Sequence, residues 1–465
     1  MAMLEEKTLD DVVVILTSAG KGTRNFPINL YSPTSMIPKG LLRVLGTPPS
    51  ELQIRQLMGW LKNFFIITQY LENDDMLSNR FGDGLGRFGV NINYSSPLED
   101  LLNNGSGESL LRNILEQKYG GHSLVLANDN LYETDWPEVV RFHKEKGAVI
   151  TVMATLMGAR ETIGDYGLLQ VDERGRVVRI TEKPKNEAEL VKTLGIDDPA
   201  RLGDIQVRVN TAGYVIDNPA FKDLAREDWV REKMKKESGE FDMAGGLIKG
   251  CVERGIPVYA TLIDNWGDLG TNVKFLATVE RALGREYPSI DSLLSKRGYH
   301  HLKNNVWVHP ETYLATRNGN PSLKELIETK AVEIGPNVFI GRNVEIGKGA
   351  KIRYSSVEKR GYIGEEANIS HSVIFPTCRI GKRARIDRSI LGLRVVVNSS
   401  PENPTVIESS YLGPVVVPAG IHIINSPGVY PGCEFGPDRV IKDRVLLPSN
   451  AAVMRVVDSY TRREA

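Results

Sequence analysis

A six-residue repeat after residue 330 constrains the fold of this 465-residue chain more than any other feature. The repeat reads Ile334-Gly335, Ile340-Gly341, Ile346-Gly347 and Ile352, and then Ile363-Gly364, Ile369, Ile380-Gly381 and Ile386. A period of six fits neither a helix nor an alternating strand, and it is typical of a parallel β-helix whose strands stack their aliphatic side chains coil upon coil. The phase break between Ile352 and Ile363 and the stretch Asn398–Pro404 are expected to be loops extruded from the coil.

The chain before the repeat alternates strand-like and helix-like segments, which predicts an α/β domain with a largely parallel sheet. The expected strands are Val12–Leu16, Phe64–Thr68, His122–Ala127, Val149–Ala154, Leu168–Val171, Val207–Ile216 and Pro257–Leu262. The expected helices are Leu52–Leu61, Ser109–Gln117, Trp136–Lys146 and Val273–Leu283. We therefore expect an α/β domain over residues 1–284, a connector over 285–330, and the β-helix with a C-terminal tail over 331–465.

Charge and cysteine content exclude several classes of protein. The chain has 58 basic and 58 acidic residues and a pI near 7.1, so attraction to nucleic acid or to an anionic membrane is not built in. Its three cysteines are far apart, and they form no disulfide framework or zinc spacing. No signal peptide and no apolar run long enough for a membrane helix is recognisable. We expect a cytoplasmic protein with neither nucleic acid nor membrane as a partner.

A glycine-rich segment, residues 18–24, directly follows the first predicted strand. Its glycines present backbone N–H groups where no side chain blocks a phosphate group, and the cations Arg24 and Lys39 follow. Such a turn can also be a simple tight connection, and its glycine spacing is neither that of a P-loop nor that of a dinucleotide fingerprint. The segment by itself therefore indicates an anion site without specifying the ligand.

With Thr23-Arg24, Pro27 and Pro38-Lys39 in order, the segment resembles the signature of the sugar-1-phosphate nucleotidyltransferases, G-x-G-T-R followed by P-K. The resemblance implies a Rossmann-like domain with a mixed or parallel sheet, followed by a left-handed parallel β-helix. It implies that a nucleoside triphosphate condenses with a sugar 1-phosphate or a sugar-like cyclitol 1-phosphate, releasing pyrophosphate. Lys39 would neutralise the reacting phosphates and Arg24 would hold the pyrophosphate. The chain departs from the signature at three positions, which are Asn25, Gly40 and Arg43.

Two aspartates follow predicted strands and are candidate ligands of Mg²⁺. Asp129 lies in an Asn-rich turn after His122–Ala127, and Asp268 lies in Trp266-Gly267-Asp268-Leu269-Gly270-Thr271, which resembles the family's W-x-D-x-G-T. Mg²⁺ prefers such hard oxygen ligands, and it takes one or two carboxylates together with phosphate oxygens and water. Asp129 could instead only close an Asx turn, and Trp266 is expected to pack in the core beside the site.

The resemblance also assigns substrate-binding residues. Those expected to contact the sugar phosphate are Gly167, Glu182, Lys183 and Asn210, in which the glutamate accepts hydrogen bonds from sugar hydroxyls and the lysine pairs with the phosphate. Those expected to contact the nucleotide are Ala19, Gly20, Gly22, Thr23 and Gly105. The loop at Gly105 could equally be an ordinary helix N-terminus. Neither the nucleobase nor the sugar follows from these residues.

Two other functions stay open at this point. A catalytically silent regulatory or scaffold subunit can have the same architecture, although Arg24, Lys39, Asp129 and Asp268 are all present. An added acyltransferase site in the β-helix would use His371 as its base, but a lone histidine is more often structural. We expect the β-helix to assemble the chain into a homo-oligomer or to regulate it, because solenoids end in exposed edges that favour association.

Overall fold

The computed structural model describes residues 9, 11–18, 22–32, 35–68, 71–95, 105–117, 120–196, 198–235, 241–316 and 321–448. The chain divides into two compact units. The first unit consists of residues 1–20 and 53–266, and the second unit consists of residues 21–52 and 267–465. The segment that follows the first strand is thus grouped with the C-terminal part of the chain. The domain limits 1–284, 285–330 and 331–465 stay a sequence prediction.

A mixed sheet forms the centre of the first unit. Its strands are Val12–Ser18, Asn63–Thr68, Asn91–Tyr94, His122–Ala127, Ile150–Gly158, Leu168–Val171, Val177–Thr181, Gln206–Asp217 and Val258–Leu262. The short strand Asn130–Glu133 lies outside this sheet. Val12–Ser18 is buried and lies parallel between Asn63–Thr68 and His122–Ala127. Because this strand is short, apolar and β-branched, it suits the centre of a parallel sheet. The glycine-rich segment therefore begins at the carboxyl end of a central strand.

The other half of the sheet is built on the long strand Gln206–Asp217. This strand pairs antiparallel with His122–Ala127, Ile150–Gly158 and Leu168–Val171. The predicted Rossmann-like mixed sheet is therefore confirmed, whereas the sheet is largely parallel in the half around Val12–Ser18 and, in the other half, parallel between Val258–Leu262 and Ile150–Gly158. Strand-like segments do not reveal their direction, because an antiparallel strand buried on both faces is as apolar as a parallel one.

Helices of the first unit pack on this sheet. Their bounds, including three short 3₁₀ or π turns, are Leu71–Phe81, Leu85–Phe88, Ser106–Glu116, Trp136–Lys146, Ala159–Thr162, Glu187–Leu194, Pro199–Gly203, Asn218–Leu224, Asp228–Lys233, Met243–Ile248 and Lys249–Glu253. The helix Pro49–Leu57 and the strand Asn265–Asp268 each cross a boundary between the units. Trp136–Lys146 has the predicted bounds because Asp135 caps its start and Gly147, at φ 56°, ends it. No helix in the described ranges is long and apolar enough to cross a membrane.

A β-helix forms most of the second unit and confirms the reading of the repeat. The first of its three sheets of parallel strands consists of Val306–Val308, Val338–Ile340, Ser355–Val357, Val373–Ile374, Ile390–Leu391 and Tyr411–Leu412, and His300–Leu302 is added antiparallel at one edge. The second sheet consists of Glu333–Ile334, Lys351–Arg353, Asn368–Ser370, Arg385–Asp387, Val406–Glu408, His422–Ile424 and Val440–Lys442. The third sheet consists of Glu345–Ile346, Tyr362–Ile363, Arg379–Ile380, Val396–Val397 and Val416–Val417. Ile352, Ile369 and Ile386 lie in register on consecutive coils. All three are buried, so stacked aliphatic side chains form the core of the coil.

The break in the repeat between Ile352 and Ile363 is not an extruded loop, and that expectation is wrong. The strand Ser355–Val357 lies there and pairs with the coils on both sides. The phase shifts because a single residue, Tyr354, turns the corner between two faces with φ 47°. Asn398–Pro404 does connect two strands of the β-helix without regular structure of its own, as expected of a loop.

The rest of the second unit consists of short elements. They are the helical turns Thr23–Asn25 and Lys39–Leu41, the strands Leu30–Ser32 and Ser35–Met36, and the helices Asn272–Leu283, Pro288–Lys296, Pro310–Leu314 and Leu323–Glu328. Residues 22–52 pack on the β-helix, since the ring of Phe26 meets that of Tyr430 edge to face and the backbone of Pro27 approaches Gly413. Within this unit, the segment that carries Arg24 and Lys39 therefore rests on the solenoid.

Candidate active site

Cations gather around Gly270 in the second unit. The Lys39 Nζ donates a hydrogen bond to the Gly270 carbonyl oxygen at 3.3 Å. A Cβ atom built on Gly270 would lie 3.8 Å from a guanidinium nitrogen of Arg24, so both predicted cations lie beside this residue. Gly22 has φ 76°, and a Cβ there would come within 3.3 Å of the Lys39 side chain. Glycine at position 22 therefore allows the Lys39 chain to pass close to the backbone.

Asp268 lies at the same place and brings a third cation, Lys274. One carboxylate oxygen of Asp268 accepts the Gly270 N–H at 2.7 Å, and the other lies 3.0 Å from the Lys274 Nζ. Lys274 is in the first turn of the helix Asn272–Leu283, whose start is capped by the Thr271 hydroxyl. The two side chains of the ion pair are 18% and 19% exposed, so the pair is partly shielded and still open to a ligand.

Asn25, one of the departures from the signature, has a local explanation. Its Nδ2 donates to the Leu269 carbonyl oxygen at 3.0 Å, and the residue is fully buried. Asn29 donates from its Nδ2 to the Gly22 carbonyl oxygen at 3.1 Å. The Asn25 amide thus ties the turn of Thr23 and Arg24 to the segment that carries Asp268, which a buried apolar side chain could not do, while the Asn29 amide holds the early loop to itself.

Asp129 lies in a turn of the first unit whose backbone is held by hydrogen bonds from Gln53. The Gln53 Nε2 donates to the carbonyl oxygens of Ala127 and Asn130, at 2.8 and 2.9 Å. The Asn130 side chain in turn donates to the Thr211 carbonyl oxygen at 3.0 Å. Asp129 is half-buried at the end of the strand His122–Ala127, which is the position expected for a ligand-binding side chain in such a sheet.

The chemistry of both aspartates suits a divalent metal ion. Carboxylate oxygens are the ligands that Mg²⁺ prefers, and the ion commonly takes only one or two of them from the protein. Among the described residues, no group of three or more histidine, cysteine, aspartate or glutamate side chains could hold a metal. Each aspartate, taken within its own unit, therefore offers an oxygen ligand of the kind that Mg²⁺ takes.

Three of the predicted sugar-phosphate residues come together in the first unit. A Cβ on Gly167 would lie 2.6 Å from the Glu182 Oε2, so a side chain at this position would displace the Glu182 carboxylate. The Asn210 N–H donates to the Gly167 carbonyl oxygen at 2.9 Å. Asn210 begins a bulge in the strand Gln206–Asp217, where its Oδ1 accepts the N–H of Ala212, whose φ is 57°. Bulges of this kind re-aim side chains beside binding sites.

Glu182 has the character of a ligand-binding carboxylate. Its Oε2 is buried and has no hydrogen-bond partner within the described part of the chain. Burial raises the pKa of the Glu182 carboxyl, the negative charge of Asp242 raises it further, and Lys183 opposes both. A buried carboxylate oxygen without a partner is costly, which is explained if a bound hydroxyl supplies the hydrogen bond. Lys183 itself is exposed and has φ 43°.

The predicted nucleotide residues are only partly visible. Ala19 and Gly20 lie outside the described residues, whereas Gly22 and Thr23 are buried beside Arg24. Gly105 precedes the helix Ser106–Glu116 with φ 95°, so glycine is favoured there. The Ser106 hydroxyl accepts the Met243 N–H at 3.0 Å, which joins this helix start to the segment of Asp242.

Sequence reasoning missed Gln53, Lys274 and Asp242. Gln53 and Asp242 are far along the chain from the residues they support, and no short motif marks them. Lys274 could have been noticed as a cation that follows the W-x-D-x-G-T segment by three residues. The predicted core role of Trp266 agrees with its 6% exposure and its edge-to-face contact with Tyr166.

Comparisons with known proteins agree with this picture. The family described as "Nucleotidyl transferase" matches residues 12–283, and the family described as "GMPPB C-terminal domain" matches residues 325–407. The chain is 26% identical over 390 residues to a UTP–glucose-1-phosphate uridylyltransferase of Synechocystis sp., which covers 81% of this chain and 87% of that protein. It is 29% identical over 279 residues to the small subunit of a glucose-1-phosphate adenylyltransferase of Triticum aestivum, which covers 56% of each chain.

Proposed function

The chain belongs to the nucleotidyl transferase family, and on that premise we propose how its residues carry out the reaction. It condenses a nucleoside triphosphate with a sugar 1-phosphate to give a nucleotide sugar and pyrophosphate. An oxygen of the sugar phosphate attacks the α-phosphorus, and the bond from this phosphorus to the oxygen of the departing pyrophosphate breaks. Because both substrates are anions, catalysis consists mainly of positioning and charge neutralisation.

The gathering of Arg24, Lys39 and Lys274 beside Gly270 is the observation that carries this proposal. Lys39 neutralises the sugar phosphate and the α-phosphate as negative charge shifts between them. Arg24, which is exposed, binds the departing pyrophosphate. Lys274 balances the charge of Asp268 in the absence of substrate. Preorganised cations of this kind stabilise the transition state more than the ground state.

Members of this family generally use a divalent metal ion. We propose that the ion is Mg²⁺ and that Asp129 and Asp268 are its protein ligands. When bound, such an ion supplies positive charge to the phosphate oxygens and orients them. Asp129 is kept in place for this role by Gln53, and Asp268 by the Gly270 N–H.

On the sugar side, the unpartnered Oε2 of Glu182 accepts a sugar hydroxyl. Lys183 pairs with the phosphate of the sugar 1-phosphate. Asn210 and the backbone of Gly167, which are hydrogen-bonded to each other, line the same sugar-phosphate site. On the nucleotide side, Gly22, Thr23 and Gly105 bind together with Ala19 and Gly20. Glucose 1-phosphate with UTP or with ATP is tested first. One relative is named for UTP and glucose 1-phosphate, and the other is named for adenylyl transfer to glucose 1-phosphate.

The test is a matrix of five nucleoside triphosphates against a panel of sugar and cyclitol 1-phosphates, scored by pyrophosphate release. Turnover of at least one pair supports the proposal. A chain that is folded and binds nucleotide but releases no pyrophosphate from any pair would be a silent regulatory or scaffold subunit instead.

The acyltransferase alternative rests on His371, whose ring is held by two contacts. Its Nδ1 lies 2.9 Å from a carboxylate oxygen of Glu280, and its ring stacks on Tyr354. Both contacts fix the orientation of the ring, which suits a structural residue and a general base alike, so a turnover assay with acyl-CoA decides between the two.

We further propose that the protein works in the cytoplasm as a homo-oligomer assembled through the β-helix, and light scattering of the full chain measures that assembly.

A further inference from the structure

The residues that follow Lys39 form a short, closed structure. The N–H and carbonyl groups of Val44 and Thr47 are joined by two backbone hydrogen bonds, at 2.9 and 3.0 Å. The Ser50 hydroxyl donates to the Gly40 carbonyl oxygen at 2.8 Å, which ties the helical turn of Lys39 to the residues after it. A shift of the turn Val44–Thr47 would therefore be passed to Lys39.

This turn is conformationally demanding. Leu45 has φ 44° and Gly46 has φ 80°, so both central residues are in the left-handed region. Two-residue turns of this kind usually contain asparagine, aspartate or glycine, and a leucine there is strained. Such strain persists only where the surroundings hold the backbone from several sides. Leu45 is 1% exposed, so its side chain is one of those restraints.

Glu358 of the β-helix supplies a second restraint. It directly follows the strand Ser355–Val357, is 1% exposed, and accepts the Gly46 N–H on its Oε1 at 2.7 Å. Arg43 donates to the carbonyl oxygen of the same glycine at 2.8 Å. The two polar groups of Gly46 are thus held from opposite sides, one by the solenoid and one by the segment itself.

The charges around Glu358 match this arrangement. Burial raises the pKa of the Glu358 carboxyl, while the positive charges of Arg43 and Lys359 and the bond from Gly46 oppose the rise. The Tyr299 hydroxyl also faces it, and burial together with the Glu358 charge raises the pKa of Tyr299 to about 12. A buried carboxylate is stable only when it is paired and hydrogen-bonded. Arg43 stands where the family signature has proline, which has no side-chain donor.

We propose that Glu358 and Arg43 are positioning residues for Lys39. Through these two residues the β-helix holds the turn Val44–Thr47, and with it the helical turn that carries Lys39. The proposal rests on the proposed role of Lys39. Close packing supports it, since a Cβ on Gly46 would come within 3.0 Å of the Phe339 ring of the same β-helix. Besides any part in assembly, the solenoid then affects turnover through the position of Lys39.

The test compares Glu358→Ala and Glu358→Gln in the full chain, with the substrate pair that releases pyrophosphate fastest in the matrix. Glu358→Ala is expected to lower kcat on the order of tenfold or more while KM changes by less than about threefold, because small misplacements of a catalytic group reduce the rate steeply. Glu358→Gln keeps an acceptor for the Gly46 N–H and is expected to recover most of that loss. Hydrogen exchange in peptides covering residues 39–47 is expected to be faster in Glu358→Ala.

A double-mutant cycle with Lys39→Ala decides whether the effect passes through Lys39. In that background Glu358→Ala is expected to lower kcat by less than about threefold further. Glu366→Ala is the matched control, because Glu366 is an exposed β-helix carboxylate paired with Arg383. Unchanged kcat and exchange in folded Glu358→Ala, or full multiplicative losses in the cycle, overturn the proposal. Normal turnover of Lys39→Ala alone would instead overturn the role proposed for Lys39.

Discussion

A column of buried serines inside the β-helix leads to a sharp prediction about stability. Each hydroxyl accepts a hydrogen bond from the backbone N–H of the serine on the next coil, at 3.0–3.1 Å. The pairs, with the accepting hydroxyl first, are Ser355 and Ser372, Ser372 and Ser389, Ser389 and Ser410, and Ser410 and Ser426. The same hydroxyls donate to carbonyl oxygens two residues earlier, and Ser372 donates in this way to Ser370 at 2.6 Å. The column therefore satisfies buried backbone groups at one corner of successive coils between Ser355 and Ser426.

The cost of Ser372→Ala can be worked out group by group. The Ser370 carbonyl oxygen keeps a second hydrogen bond, from the Arg388 N–H at 3.2 Å, so it stays satisfied. The Ser389 N–H loses the one partner that it has among the described residues, and it stays buried. One orphaned buried donor costs about 1–3 kcal/mol, and we expect the free energy of unfolding to fall by that amount.

Ser356 provides a matched control within the same solenoid. It is 1% exposed, as is Ser372, but its Oγ is buried without a hydrogen-bond partner among the described residues. Ser356→Ala is therefore expected to change the free energy of unfolding by less than about 0.5 kcal/mol or to increase it. Urea denaturation of both variants, with hydrogen exchange followed in peptides covering residues 379–397, measures the difference. Equal stability of the two variants would refute the reasoning.

Three further predictions concern the reaction. Lys39→Ala should lower kcat by about 10²–10³, since it removes a charge contact that strengthens in the transition state, and pyrophosphate release measures it; an unchanged rate would reject the assignment. Because burial and then Asp242 raise the pKa of Glu182, the KM for the sugar phosphate should rise on acidification at a pH above the usual glutamate range. Asp242→Asn should move that rise to lower pH, and an unmoved profile would contradict it. Asp129→Asn and Asp268→Asn should each raise the Mg²⁺ concentration needed for half-maximal turnover, which a magnesium titration measures. Full activity in excess EDTA would contradict the proposed metal site.

The fold was largely predictable because its two halves leave periodic signals. Stacking of Ile352, Ile369 and Ile386 needs the same residue type at a fixed interval, so the sequence displays the coil directly. The corners were less visible. Tyr354 and His371 have φ values of 47° and 46°, and neither residue type signals a left-handed corner as glycine would.

The site was predictable where chemistry follows a strand end and was not where it depends on distant support. Asp129 follows a strand whose carboxyl end could be located from its apolar pattern alone. Gln53 supports that turn from 74 positions away, and Glu358 contacts Gly46 across 312. Contacts of this kind depend on the packed backbone, so a single sequence contains no local trace of them. Strand direction was hidden for the same reason in the antiparallel half of the sheet.

The grouping of residues 21–52 with the β-helix bears on how such enzymes can be recombined. A cut in the linear chain near the end of the α/β domain would separate the loop that carries Arg24 and Lys39 from the solenoid surface on which Phe26 and Gly46 rest. The exchangeable module is therefore discontinuous. A chimaera that borrows its solenoid from a relative should borrow the early loop as well, so that both sides of their contact come from one parent.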